Sequence, residues 1–133
     1  MDIHHQNDMA SAVPQSLRSW FLVHFVVDMV FAVPLMIAPE WSLSLMRFPV
    51  IDPFTTRLVA AALFGIGGVS YLVHKKGKET YVTMLLLKLI WSAAAVIGLV
   101  WTLISQPIFM GYVIAGIFAV FFCIWMYYYK MIK

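Results

Sequence analysis

Three ionisable side chains interrupt stretches that are otherwise apolar: His24, Asp28 and Lys88. Such groups are costly in hydrocarbon and face a bundle interior or water, where they mark ligand sites, ion paths or proton relays. His24 precedes Asp28 by four residues, which places both on one face of a helix and suits a hydrogen bond or a proton transfer between them. Asp28 lies ten residues past Arg18, about 15 Å along a helix. Lys88 lies nine residues past Glu79 on a helix running the same way, so the two opposite charges are expected at nearly the same depth. In an up-and-down bundle the first and third helices sit diagonally, with axes roughly 13 Å apart, a gap that a lysine stem and a carboxylate nearly span. Each charge would then support the other, where either alone would tend to neutralise. With Trp91 and Ser92 one turn past the lysine, the ligand-binding or ion-pair candidates are His24, Asp28, Lys88, Trp91 and Ser92.

The same residues admit plainer readings. A buried Asp–Lys pair can do no more than fix helix register, Lys88 can extend to the interface, and Trp91 can be simple packing. Other chemistries find no support. The sequence has no Gly-rich phosphate loop, no Ser/His/Asp ordering and no zincin helix, so no catalytic residue is assigned and no cofactor is expected. His4 and His5, with Asp2 and Asp8, lack the fixed geometry of a metal site, and no metal is expected. The single cysteine, Cys123, excludes an intrachain disulfide and reads as packing.

These residues must be positioned by elements that lie in lipid. Of 133 residues, 63% are hydrophobic and 11% charged, against about a quarter charged in soluble domains. A body of 15.2 kDa is mostly surface and cannot hide that much apolar material. An ordinary cytosolic enzyme, a disordered chain and a nucleic-acid-binding module are excluded. A helix needs roughly 20 apolar residues to cross a bilayer, and four such stretches exist, at about 19–38, 54–73, 81–104 and 108–129. The expected fold is therefore an all-α integral membrane protein, four transmembrane helices in an up-and-down antiparallel bundle over residues 17–133. A polar, mobile segment is expected over residues 1–16. The first span is too long for a signal-peptide core and reads as a retained anchor.

The net charge is +3 and the pI about 9.1, but the nine basic residues are scattered along the chain and suit membrane loops rather than an anionic partner. Arg18, Lys75, Lys76, Lys78, Lys130 and Lys133 fall on one side of four crossings, and only Arg47 and Arg57 on the other. The positive-inside rule places both termini in the cytoplasm of an inner or plasma membrane protein. Trp20, Tyr71, Tyr81, Trp125 and Tyr127–Tyr129 are expected in the inner aromatic belt; Trp41, Phe48, Trp101, Phe109 and Tyr112 in the outer one. The first outer loop, Pro39 to Pro53, is expected to hold a short interfacial helix. Asp52-Pro53 reads as an N-cap with proline at the first helical position, and Asp52 with Arg57 as an ion pair at the outer interface.

Small residues mark where membrane helices approach. Ala61, Gly65 and Gly68, then Ala94 and Gly98, then Gly111, Ala115, Ala119 and Cys123 form three such stripes, any of which can serve the bundle or a homo-oligomer. Pro34 removes the hydrogen bond to the Val30 carbonyl and is expected to bend the first helix.

Asp52-Pro53, Arg57 and the run Ala60-Ala61-Ala62-Leu63-Phe64-Gly65-Ile66-Gly67 resemble the second-helix region of small four-helix membrane proteins of the DoxX-like kind. The resemblance implies a four-helix bundle, and some members of that group are associated with membrane redox systems and quinones. From the residues themselves, the expected function is a non-enzymatic bundle with a mid-membrane polar pocket for a small or lipid-like ligand. Two alternatives stand beside it. One is a homo-oligomeric transporter or channel with Asp28 as its proton or ion site; the other is an accessory subunit of a larger membrane complex. The expected partners are the bilayer, a second copy or a membrane partner, and no nucleic acid.

Overall fold

The computed structural model of the protein describes residues 13–133, and residues 1–12, with His4 and His5 and most of the polar segment, lie outside it. The described chain is helical throughout, without strands. It comprises α1 (Gln15–Ile37), α2 (Pro39–Leu45), α3 (Pro53–Leu72), α4 (Lys78–Ser105) and α5 (Phe109–Ile132). All but α2 are long and apolar enough to cross a bilayer. The chain divides into two compact units, Pro14–Lys75 and one built on Lys76–Lys133.

Sequence chemistry accounts for the helix ends. Ala38 precedes a proline, which disfavours helical backbone, and it leaves the helix at φ −136°, ψ 67°. α2 then starts with Pro39 in its first turn, where the missing N–H costs nothing. Asp52 caps α3 from an extended backbone, accepting from the Thr55 N–H at 3.2 Å. α4 begins at Lys78, ahead of the expected 81, because its polar first turn (Lys78, Glu79, Thr80) is helical without being apolar. α5 likewise runs to Ile132, past the expected 129.

In the first unit, the beginning of each long helix meets the end of the other. Arg18 Nη1 donates to the His74 carbonyl at 2.6 Å, and Arg57 Nε donates to the Met36 carbonyl at 3.0 Å. The buried residues of α1 are Leu17, Phe21, His24, Asp28, Ala32 and Leu35, a single stripe at steps of three and four. Those of α3 are Thr56, Ala60, Leu63, Gly67 and Ser70. In the second unit the contacts also run in reverse order. Leu103, near the end of α4, lies against Gly111, near the start of α5, whereas Lys88 lies against Trp125 further along.

The stripe expected on α3 is displaced. Ala61 and Gly65 are exposed, and a Cβ at Gly65 or Gly68 would meet nothing within 4 Å. Ala60 and Gly67 occupy the buried face instead. On α4, Ala94 and Gly98 are exposed, with nothing near a Gly98 Cβ. On α5, Gly111 and Ala115 are buried, Ala119 is half-buried and Cys123 is exposed. Three residues expected in the inner aromatic belt, Tyr81, Trp125 and Tyr128, are buried.

Candidate functional site

Each unit buries an ionisable side chain near the middle of a long helix. In the first, His24 and Asp28 are both buried, with His24 Nε2 3.4 Å from Asp28 Oδ1. The spacing of four along α1 produces that approach, and the contact becomes an ion pair when the imidazole is protonated. Across from Asp28, α3 presents bare backbone. A Cβ built on Gly67 would stand 2.7 Å from Asp28 Cβ, 3.0 Å from Asp28 Oδ2 and 3.2 Å from Met29 Cε. Glycine is what lets α3 come this near the carboxyl. One turn on, the fully buried Ser70 hydroxyl donates to the Ile66 carbonyl at 2.7 Å, which satisfies it within its own helix.

Above and below this centre the unit is pinned at its ends. His74, whose carbonyl receives Arg18, contacts the Tyr71 carbonyl through Nδ1. Tyr71 packs on Phe25 at 5.0 Å between ring centroids. The expected Asp52–Arg57 ion pair is not formed. Asp52 accepts from both the Thr55 hydroxyl and the Thr55 N–H, and Arg57 is directed to the Met36 carbonyl. Capping α3 and binding the end of α1 are short-range contacts that draw the two side chains apart.

In the second unit Lys88 is fully buried, and its Nζ lies 4.9 Å from the centroid of the buried Trp125 ring. A desolvated ammonium over an indole face is worth about 2 kcal/mol. Phe121 stacks on Trp125 at 5.5 Å with the rings 16° apart. Ser92, also buried, donates to the Lys88 carbonyl at 2.7 Å and to the Leu89 carbonyl at 3.3 Å. Trp91 meets Phe118 edge-on at 6.0 Å, and its Nε1 is a buried donor with no hydrogen-bond partner. The structure thus groups His24 with Asp28 in one unit, and Lys88 with Trp91 and Ser92 in the other.

Two members of these clusters escape the sequence reading. Gly67 was hidden by its neighbours Gly65 and Gly68, although the series Thr56, Ala60, Leu63, Gly67, Ser70 carries both small and polar residues at helical steps. Trp125 was hidden by its depth, since a tryptophan near a span end also suits an interface. Among the described residues, no three His, Cys, Asp or Glu side chains gather where they would hold a metal ion. Compared with family models, curated proteins and solved structures, the chain matches none.

Proposed function

We propose that this chain is a polytopic inner (plasma) membrane protein, an up-and-down antiparallel bundle with cytoplasmic termini, whose buried polar residues hold a small or lipid-like ligand without catalysing a reaction on it. One observation carries the reading: polarity is inverted. His24, Asp28, Ser70, Lys88 and Ser92 are buried, while Phe54 and Ile104 are each 81% exposed and Ile37 74%. In the most apolar stretch of each long helix no more than 28% of residues are buried. Such a surface is stable in hydrocarbon and aggregates in water. Buried ionisable groups in a lipid-facing bundle are the ordinary signature of a ligand or ion site.

The pairing of Asp28 with Lys88, expected from their matched depth in the sequence, belongs to this proposal, as does a DoxX-like kinship resting on residues 52–67. The test is native mass spectrometry of the full chain from nanodiscs equilibrated with phospholipid, quinone and sterol extracts. Wild type is expected to retain one class, with retention falling at least tenfold in Asp28→Asn and in Lys88→Met. Equal retention by all three proteins would refute a polar ligand site.

The exposed small residues Ala61, Gly65, Ala94 and Gly98 favour a second reading, because small side chains facing lipid permit close approach of another helix. The occupant is a second copy, forming a transporter with Asp28 as its proton site, or a larger membrane partner. A strictly monomeric mass in nanodiscs, together with an empty pull-down in mild detergent, removes both.

A further inference from the structure

Read along the sequence, the lysines look scattered; the fold gathers four of them. Because the α4–α5 contacts run in reverse order, from Leu103–Gly111 to Lys88–Trp125, the start of α4 and the end of α5 share one end of the second unit. Lys76 and Lys78 lie at that start, Lys130 and Lys133 at that end, and all four are exposed. Among the described residues of this unit, Glu79 is the one acidic residue. Below the lysines the surface turns aromatic: Tyr127 is largely exposed, and Tyr129 lies under the Lys133 ammonium, 5.3 Å from ring centroid to Nζ. Further down, the exposed surface is apolar, with Leu86, Leu87 and Ile90 on α4 and Val120 on α5. A basic tier, an aromatic tier and an apolar wall, in that order, match the phosphate, the ester region and the acyl chains of a phospholipid.

We propose that the Lys76, Lys78, Lys130 and Lys133 end of this unit binds the phosphate-bearing headgroups of anionic phospholipids, in preference to zwitterionic ones. The inference rests on the membrane reading above. It adds a lipid selectivity that neither hydropathy nor the mid-span polar residues imply. Each lysine close to an anionic surface supplies about a fivefold preference. The attraction is screened by salt, with a Debye length of about 10 Å at 0.1 M.

The test uses the full chain in nanodiscs of equimolar phosphatidylglycerol and phosphatidylcholine, with bound lipids counted by native mass spectrometry. Wild type is expected to carry phosphatidylglycerol at about fivefold enrichment or more, declining towards parity as salt rises from 50 to 500 mM. The Lys76→Gln/Lys78→Gln/Lys130→Gln/Lys133→Gln variant is expected at parity, and the corresponding four-arginine variant at the wild-type level. Excess inorganic phosphate should leave the enrichment unchanged, because a free anion lacks the acyl chains. Parity in wild type overturns the proposal, as does enrichment that persists at 500 mM salt or in the glutamine variant, or that inorganic phosphate abolishes. The wild-type salt series decides the matter even where the glutamine variant is not recovered. Failure of the wild-type chain to enter nanodiscs at all would overturn the membrane reading as well, whereas entry without enrichment removes the lipid preference alone.

Discussion

Arg47 closes α2 in a conformation that side chains rarely adopt. Its φ is +59°, and around it Phe48 N–H donates to the Leu43 carbonyl while Arg47 N–H donates to the Ser44 carbonyl, both at 3.0 Å. That pair of bonds is the Schellman motif, whose left-handed position glycine usually fills. An L-residue there costs about 1–2 kcal/mol, so Arg47→Gly is expected to raise the thermal unfolding temperature in detergent; a lower temperature would show that the arginine side chain outweighs its backbone. Asp52, a few residues on, governs an acid response. The Thr55 hydroxyl, and after it the Thr55 N–H, hold its carboxyl below the ordinary value. A lowered folded value means the cap stabilises the fold above the unfolded carboxylate range, near pH 4, and that this contribution disappears as pH falls through the folded value. Thermal unfolding followed from pH 6 downwards should therefore lose a component in wild type that Asp52→Ala lacks. Identical pH profiles would place the acid sensitivity elsewhere.

At the scale of elements, α1 against α3 gives the sharpest test, because Gly65, Gly67 and Gly68 stand within one turn and only Gly67 is closely packed against its partner helix. Gly67→Ala drives a methyl to 2.7 Å from Asp28 Cβ and is expected to cost about 1–3 kcal/mol through overpacking. Gly65→Ala and Gly68→Ala meet open space and should be neutral or stabilising by up to about 1 kcal/mol. Chemical unfolding of the three variants in one detergent measures the order, and equal losses would contradict the packing face. The contrast also shows what the sequence could and could not disclose. The four long helices and the Asp52-Pro53 cap were legible, because twenty-residue apolar runs and capping residues are local signals. The buried face was not. These helices are apolar all round, so hydropathy offers no preferred side, and size alone could not separate Ala60 and Gly67 from Ala61 and Gly65. The clustering of His24 with Asp28 was legible from a spacing of four. Trp125 over Lys88 was not, since it depends on the rotation of α5 about its axis.

For the whole molecule, inverted polarity leads to an expectation about sidedness that labelling can read. Under the proposed topology six basic residues would flank one side of the four spans and two the other, a bias that would retain the basic side in the cytoplasm. A cysteine introduced by Lys133→Cys should then react with an impermeant maleimide only after the cells are opened, and one introduced by Arg47→Cys should react in intact cells. The native Cys123 provides the internal control. It is exposed on α5, between Phe121 and Trp125 in an apolar helix, and its reactive form is the thiolate. An impermeant maleimide stays in water and does not enter hydrocarbon, so Cys123 should stay silent in both conditions although it is exposed on its helix. Labelling of Cys123 in intact cells would mean that water reaches the middle of α5, which a lipid-facing helix forbids. Labelling at position 133 before the cells are opened would instead reverse the orientation and move the basic tier to the outer leaflet.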